Sequence, residues 1–163
     1  MDRSATDPST VVSARTAVRE DEATILVLGQ LARDEAFPER GGELLLLHDN
    51  GDIAFDERLQ AAHGDDQLVV VGAIDSVVVG YAIARQQSQG GVRSAMIEEI
   101  MVHPEARSVG VAAAMLQQVI DWARRGKCDV IESQVLPGNR SAKNFFERVG
   151  MVTRKMQVSA RLR

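Results

Sequence analysis

The stretch from Gln67 to Val102 constrains the fold most. Gln67 to Ala73 is apolar and β-branched, Asp75-Ser76 has the chemistry of a hairpin turn, and Val77 to Gln86 returns as the partner strand. Ser88 to Gly91 forms a second turn, Val92 to Val102 a longer strand, and His103-Pro104 stops it. Three consecutive strands joined by tight turns exclude an all-helical fold.

Helical periodicity flanks this run. Val11 to Val18 predicts a first strand. Asp21 then caps a helix that reaches Phe37, with Ile25, Leu28 and Ala32 at helical spacing, and Pro38 ends it. Arg40, Gly41 and Gly42 form a joint before the apolar Leu44 to Leu47. A break at Asp49-Asn50-Gly51 and a short helix over Ile53 to Ala62 follow. Beyond the strands, Ala112, Met115, Leu116, Val119, Ile120 and Ala123 trace an amphipathic helix, with Gly126 at its C-terminal cap. Asp129 to Val135 reads as a strand, Leu136-Pro137-Gly138 as a loop, and Ala142, Phe145, Phe146 and Val149 as a helix ended by Gly150. Met151 to Arg161 predicts a closing strand. The order is neither strict βαβ alternation nor all-β, and it implies a mixed sheet with helices on both faces. Residues 1–10 read as a flexible N-terminal tail and 11–163 as a single domain.

Scarce residues narrow the chemistry. One Cys, Cys128, excludes a disulfide within the chain and a zinc site built on two or more cysteines. His48, His63 and His103 lie far apart in sequence, so no metal site is expected. At 4% aromatic and a net charge of -4, nucleic acid is a poor partner. No apolar run approaches a membrane span, and Met1 to Thr10 lacks an apolar signal core, so the expected location is the cytoplasm. There is no Gly-x-Gly dinucleotide fingerprint, no P-loop and no Gly-x-Ser-x-Gly elbow.

One motif is present. Between Val102 and Ala112 a strand passes into a helix through Arg107-Ser108-Val109-Gly110-Val111-Ala112, an Arg-x-x-Gly-x-Ala pattern. A helix start exposes unpaired N–H groups and the positive end of the dipole. Gly110 permits close approach of a ligand, Ala112 leaves room, and Arg107 adds fixed charge, which together suit a pyrophosphate. Upstream lies Ile97-Glu98-Glu99-Ile100-Met101-Val102. Downstream lie Asn139-Arg140-Ser141-Ala142 and Phe145-Phe146-Glu147-Arg148-Val149-Gly150-Met151. In these motifs and in element order the chain resembles the GNAT superfamily of acyl-CoA-dependent N-acyltransferases, from about Val11 onward and most sharply from Ile97 to Met151.

The resemblance implies an α/β (α+β) fold: a mixed, mostly antiparallel twisted sheet of six to seven strands, helices on both faces, and strands splayed at an acetyl-CoA site. It implies acetyl-CoA as co-substrate and no metal. The pyrophosphate would sit on Arg107 to Ala112, with backbone N–H groups of Val109, Gly110, Val111 and Ala112 as donors. Met101 and Val102 would supply backbone contacts to the pantetheine, in the manner of an added strand, and a backbone N–H there would hold the oxyanion. Asn139 and Phe146 would complete the cofactor side. The acceptor site would be shaped by Asp34 to Leu46, including Asp34, Glu35 and Glu39. The acceptor would be a small-molecule or protein amine. Dimers in the family and the edge of the last strand suggest a homodimer.

Alkyl amines have pKa values near 10 and need a base before they attack a thioester. Glu98 matches the family position for such a base. Glu99 is its neighbour, and in a regular strand only one of the two faces a given side. The family often carries a tyrosine acid where this chain has Phe146. A positioned acid is worth about 10²- to 10⁴-fold, yet a thiolate whose conjugate acid has a pKa near 8.5 is a tolerable leaving group. The only tyrosine, Tyr81, lies on another strand and is the candidate to supply that acid in place of Phe146, beside water or the amine's own proton. Two readings stand at this stage: an N-acetyltransferase with a Glu base, and a non-catalytic acyl-CoA-binding or regulatory domain. Transfer of a longer acyl chain, or transfer to an alcohol, is a weaker third.

Overall fold

A computed structural model describes residues 10–48, 57, 59–60, 64–160 and 162. The expected tail, apart from Thr10, and most of the expected helix over Ile53 to Ala62 lie outside the described residues. The strands are β1 (Val12–Thr16), β2 (Gln67–Ile74), β3 (Val77–Gln89), β4 (Val92–Val102) and β5 (Val130–Ser133). Helices α1 (Glu22–Ala36) and α2 (Gly42–His48) lie between β1 and β2. Helix α3 (Val111–Arg125) joins β4 to β5, and α4 (Arg140–Arg148) follows. Among the described residues no helix is long and apolar enough to cross a membrane.

The sheet keeps chain order, β1-β2-β3-β4-β5, antiparallel except for the parallel β4–β5 pair. The β2–β3 turn at Asp75-Ser76 has both residues at positive φ, 49° and 72°, as a two-residue type I′ hairpin requires. Asp75 also accepts a hydrogen bond from the Val11 N–H at 2.8 Å, which ties the start of β1 to this turn.

Alternate residues of the central strands feed two cores. Leu68, Val70, Ala82 and Ala84 face α3, where Met115, Leu116 and Val119 pack with Phe146 of α4. Val69, Val71, Tyr81 and Ile83 face α1, where Ile25 and Leu28 pack with Met101. Covering both faces lets β2 be almost continuously apolar. Gly72 admits α3 closely: a Cβ there would stand 2.5 Å from Val111 Cγ1.

Two expectations change. The sheet has five strands among the described residues, not six to seven. The expected strand over Met151 to Arg161 is not formed through residue 160. Met156 and Val158 alternate with polar neighbours, but they are exposed and no strand among the described residues pairs with them. Alternation alone does not hold a strand without a ladder partner.

Candidate functional site

The site arises from two irregularities in β4. The first is a break in pairing. β4 pairs with β5 only from Ser94↔Val130 to Ile97↔Ser133, while β4 continues beside β3 to Val102. The expected strand from Asp129 to Val135 is therefore short, because β5 leaves the sheet at Ser133. Ser133 Oγ donates to the Ile97 carbonyl at 3.3 Å and marks where the strands part. Beyond that point the β4 edge from Glu98 to Val102 has no strand paired to it among the described residues.

The second irregularity is a bulge. Ile83 pairs with Glu99, but the next residue, Ala84, pairs with Ile97, so Glu98 is the extra residue. The consequence corrects the regular-strand expectation. Ile97 and Ile100, three apart, both pack on the α3 side. Glu98 and Glu99 both turn to the α1 side: Glu98 pairs with Arg85 at 2.9 Å, and Glu99 meets Tyr81 and Arg33. A cleft of about 1610 Å³ runs along this opening and is lined by both carboxylates, the Arg107–Ala112 loop and the start of α4.

Tyr81 is wholly buried. Its hydroxyl donates to Glu99 Oε2 at 2.6 Å, and Arg33 donates to Glu99 Oε1 at 3.3 Å. Burial first, and then the adjacent Glu99 charge, push the Tyr81 phenol far above its ordinary value. Its hydroxyl is thus a fixed hydrogen-bond donor deep under α1.

The loop after β4 leads into α3 through two left-handed residues. Ser108 at φ 67° and Gly110 at φ 102° put left-handed turns on either side of Val109. Gly110 caps α3 without a side-chain hydrogen bond, and the first turn of α3 holds no acidic residue. Its N–H groups are therefore not spent on a capping side chain. Val111 is buried, which anchors the turn. Arg107 is turned toward α1. Its Nε donates to the Val102 carbonyl at 2.9 Å, and a terminal nitrogen donates to Glu35 Oε2 at 2.6 Å and lies 3.7 Å from Met101 Sδ.

Asn139 caps α4, with its side-chain oxygen accepting from the Ala142 N–H at 3.0 Å. Phe146, 6% exposed, packs edge-on against Phe145 with ring centroids 5.1 Å apart and lines the cleft. Toward α1 and α2, Glu35, Glu39, Leu45 and Leu46 line the cleft, whereas Asp34 accepts from Gln30 on α1 and is not part of the lining. Among the described residues no group of three or more His, Cys, Asp or Glu gathers as a metal site would. Arg33 and Arg85, the partners of the two carboxylates, have no signal in a single sequence. The bulge has one: the three-residue spacing of Ile97 and Ile100 around two acids.

Residues 30–151 match the model of the acetyltransferase (GNAT) family. No curated protein sequence matches the chain. Among solved structures, a tetramutant of the BH1408 protein from Bacillus halodurans aligns with a TM-score of 0.77 at 20% identity, covering 91% of this chain and 99% of that one. The aminoglycoside N-acetyltransferase AAC(6')-Iy in complex with CoA aligns at 0.69 and 19% identity, covering 97% and 99%. The ribosomal-protein-alanine N-acetyltransferase from Brucella melitensis biovar Abortus 2308 aligns at 0.68 and 17%, covering 93% and 99%. At these identities the likeness is one of fold.

Proposed function

The chain belongs to the acetyltransferase (GNAT) family, and from that membership we propose that it is an N-acetyltransferase that moves an acetyl group from acetyl-CoA to a primary amine. The observation that carries this reading is the pairing break at Ile97↔Ser133 beside the Glu98 bulge. It joins an open strand edge to two carboxylates in one cleft.

On the donor side, the N-terminus of α3 and the Ser108–Gly110 turn offer N–H groups to a pyrophosphate, and Arg107 adds charge once it exchanges Glu35 for phosphate. At the freed edge of β4 the residue that offers its backbone N–H to the pantetheine is Val102; Met101, opposite Tyr81 and in step with the His103 N–H bond to the Val79 carbonyl, turns its backbone groups to β3. The Asn139 oxygen already caps α4, so its amide nitrogen is the group left to reach the donor. Phe146 supplies apolar wall.

Glu98 is the proposed base. Both oxygens of Glu99 already accept hydrogen bonds, from Arg33 and Tyr81. Glu98 uses one oxygen on half-exposed Arg85 and keeps the other outside that pair. Glu98 takes a proton from the substrate ammonium, directly or through water. The nitrogen lone pair then forms the C–N bond as the C–S bond breaks, and the departing thiolate takes the second proton that the nitrogen sheds. The products are an N-acetyl amine, the CoA thiol and one proton delivered to solvent. This balance needs no tyrosine acid. Tyr81 is assigned a positioning role, holding Glu99.

The test is thiol release from acetyl-CoA across a broad amine panel, with Glu98→Gln beside it. Transfer lost in Glu98→Gln with CoA affinity kept supports the reading. CoA binding without thiol release from any amine would make the domain a non-catalytic binder.

A further inference from the structure

We infer that the acceptor is an α-amino acid, whose carboxylate is taken by Arg85 and whose amine is taken by Glu98. This rests on the acetyltransferase reading above and names the substrate class of the same cleft. The observation is the state of the two acids at the β4 bulge. Glu98 is paired with Arg85 at 2.9 Å and Glu99 with Arg33 at 3.3 Å. Charges therefore alternate beside the reacting nitrogen, and a substrate that reaches Glu98 gains most there by being zwitterionic itself.

The Arg85–Glu98 pair has the right dimensions. In an α-amino acid the ammonium nitrogen lies roughly 3 Å from the nearer carboxylate oxygen, by covalent geometry alone. The protein pair has the same separation with the opposite sense, so the two dipoles close into a four-charge ring. Arg85 is accessible for this, with its side chain 48% exposed against 24% for Glu98. A guanidinium has five N–H donors, so it can hold a substrate carboxylate while still bonded to Glu98. Gln67 and Gln87 line the same end of the cleft and add amide donors of neutral charge. The substrate carboxylate also shares the Arg85 charge with Glu98, which loosens the hold on the proposed base when the acceptor arrives. Substrate recognition and activation of the base thus act through one arginine.

The experiment measures thiol release from acetyl-CoA with the proteinogenic L-amino acids, with 2-phenylethylamine and isoamylamine as the decarboxylated forms of phenylalanine and leucine, and with spermidine. The wild type is expected to favour at least one amino acid over its decarboxylated form by about tenfold to a hundredfold in kcat/KM, the range for hydrogen bonds to charged groups. In Arg85→Gln that ratio is expected to collapse through a raised KM for the amino acid, and Arg85→Lys is expected to restore part of it. Decarboxylated amines or spermidine turning over as well as the amino acids would overturn the inference and leave the acetyltransferase reading intact. An equal loss for both substrate types in Arg85→Gln would also overturn it. No thiol release with any of these acceptors would overturn the acetyltransferase reading itself.

Discussion

The Glu35 carboxylate holds Arg107, the arginine assigned to the pyrophosphate, so Glu35→Gln is expected to tighten CoA binding. The pair is short, 2.6 Å, but half exposed, at 43% for the Arg107 side chain and 38% for Glu35. Solvent screening limits such a pair to about 0.2–1 kcal/mol. Wild-type protein gives up that amount when Arg107 turns to phosphate, and the variant does not. Removing it lowers Kd for CoA by up to about fivefold, since 1.4 kcal/mol is about tenfold. Loss of the negative charge beside the loop acts in the same direction. Calorimetric titration with CoA at low ionic strength reads the effect, and added salt should shrink it. Arg107→Gln is the counterpart: without a charge-assisted bond to phosphate, Kd is expected to rise by about tenfold or more. Unchanged or weaker binding in Glu35→Gln would refute the reasoning. It would mean that Glu35 holds Arg107 ready for the donor rather than competing with it.

Tyr81→Phe is expected to lose about 1–3 kcal/mol of stability, the cost of stripping a donor from the partly buried Glu99 carboxylate, while retaining acetyl transfer. Thermal unfolding and thiol release read the two effects, and a large fall in kcat at unchanged stability would make Tyr81 a catalytic acid. Asp21 accepts two hydrogen bonds from Arg15 and one from the Val18 N–H, and the Arg15 bond holds its carboxyl below the usual carboxylate range. Its folded pKa is lowered, so its stabilisation is complete above the ordinary value of about 3.9 and is lost as pH falls through the folded value. Urea unfolding between pH 6 and 2 is expected to show the wild type losing its advantage over Asp21→Asn only in acid. Gly72→Ala is expected to cost about 1–3 kcal/mol by overpacking, because the new methyl meets Val111 and Met115 of α3.

The strands from Gln67 to Val102, α1 and α3 were legible in the sequence because their patterns are local. Asp75-Ser76 was legible as a turn, and α3 through its apolar stripe. The closing strand expected over Met151 to Arg161 is not formed through residue 160, because the alternation around Met156 and Val158 needs a neighbour that no local pattern supplies. The turn before α3 was legible through Gly110, whose φ of 102° suits glycine. The face that carries Glu98 and Glu99 was not. Period-two reasoning separated Glu98 from Glu99, and the bulge reunited them on one face. The three arginine partners come from α1, β3 and the loop after β4, so their pairing with acids depends on tertiary contact alone.

The most direct measurement of the central claim is thiol release from acetyl-CoA by wild type and Glu98→Gln, followed from pH 6 to 9 with the best amine acceptor and paired with CoA titration of both proteins. The expected result is turnover in wild type, a fall in kcat of about 10²-fold or more in Glu98→Gln, and CoA affinity equal within error. Equal turnover in the two proteins would contradict the assignment of Glu98. CoA binding with no turnover in either would contradict the acetyltransferase itself.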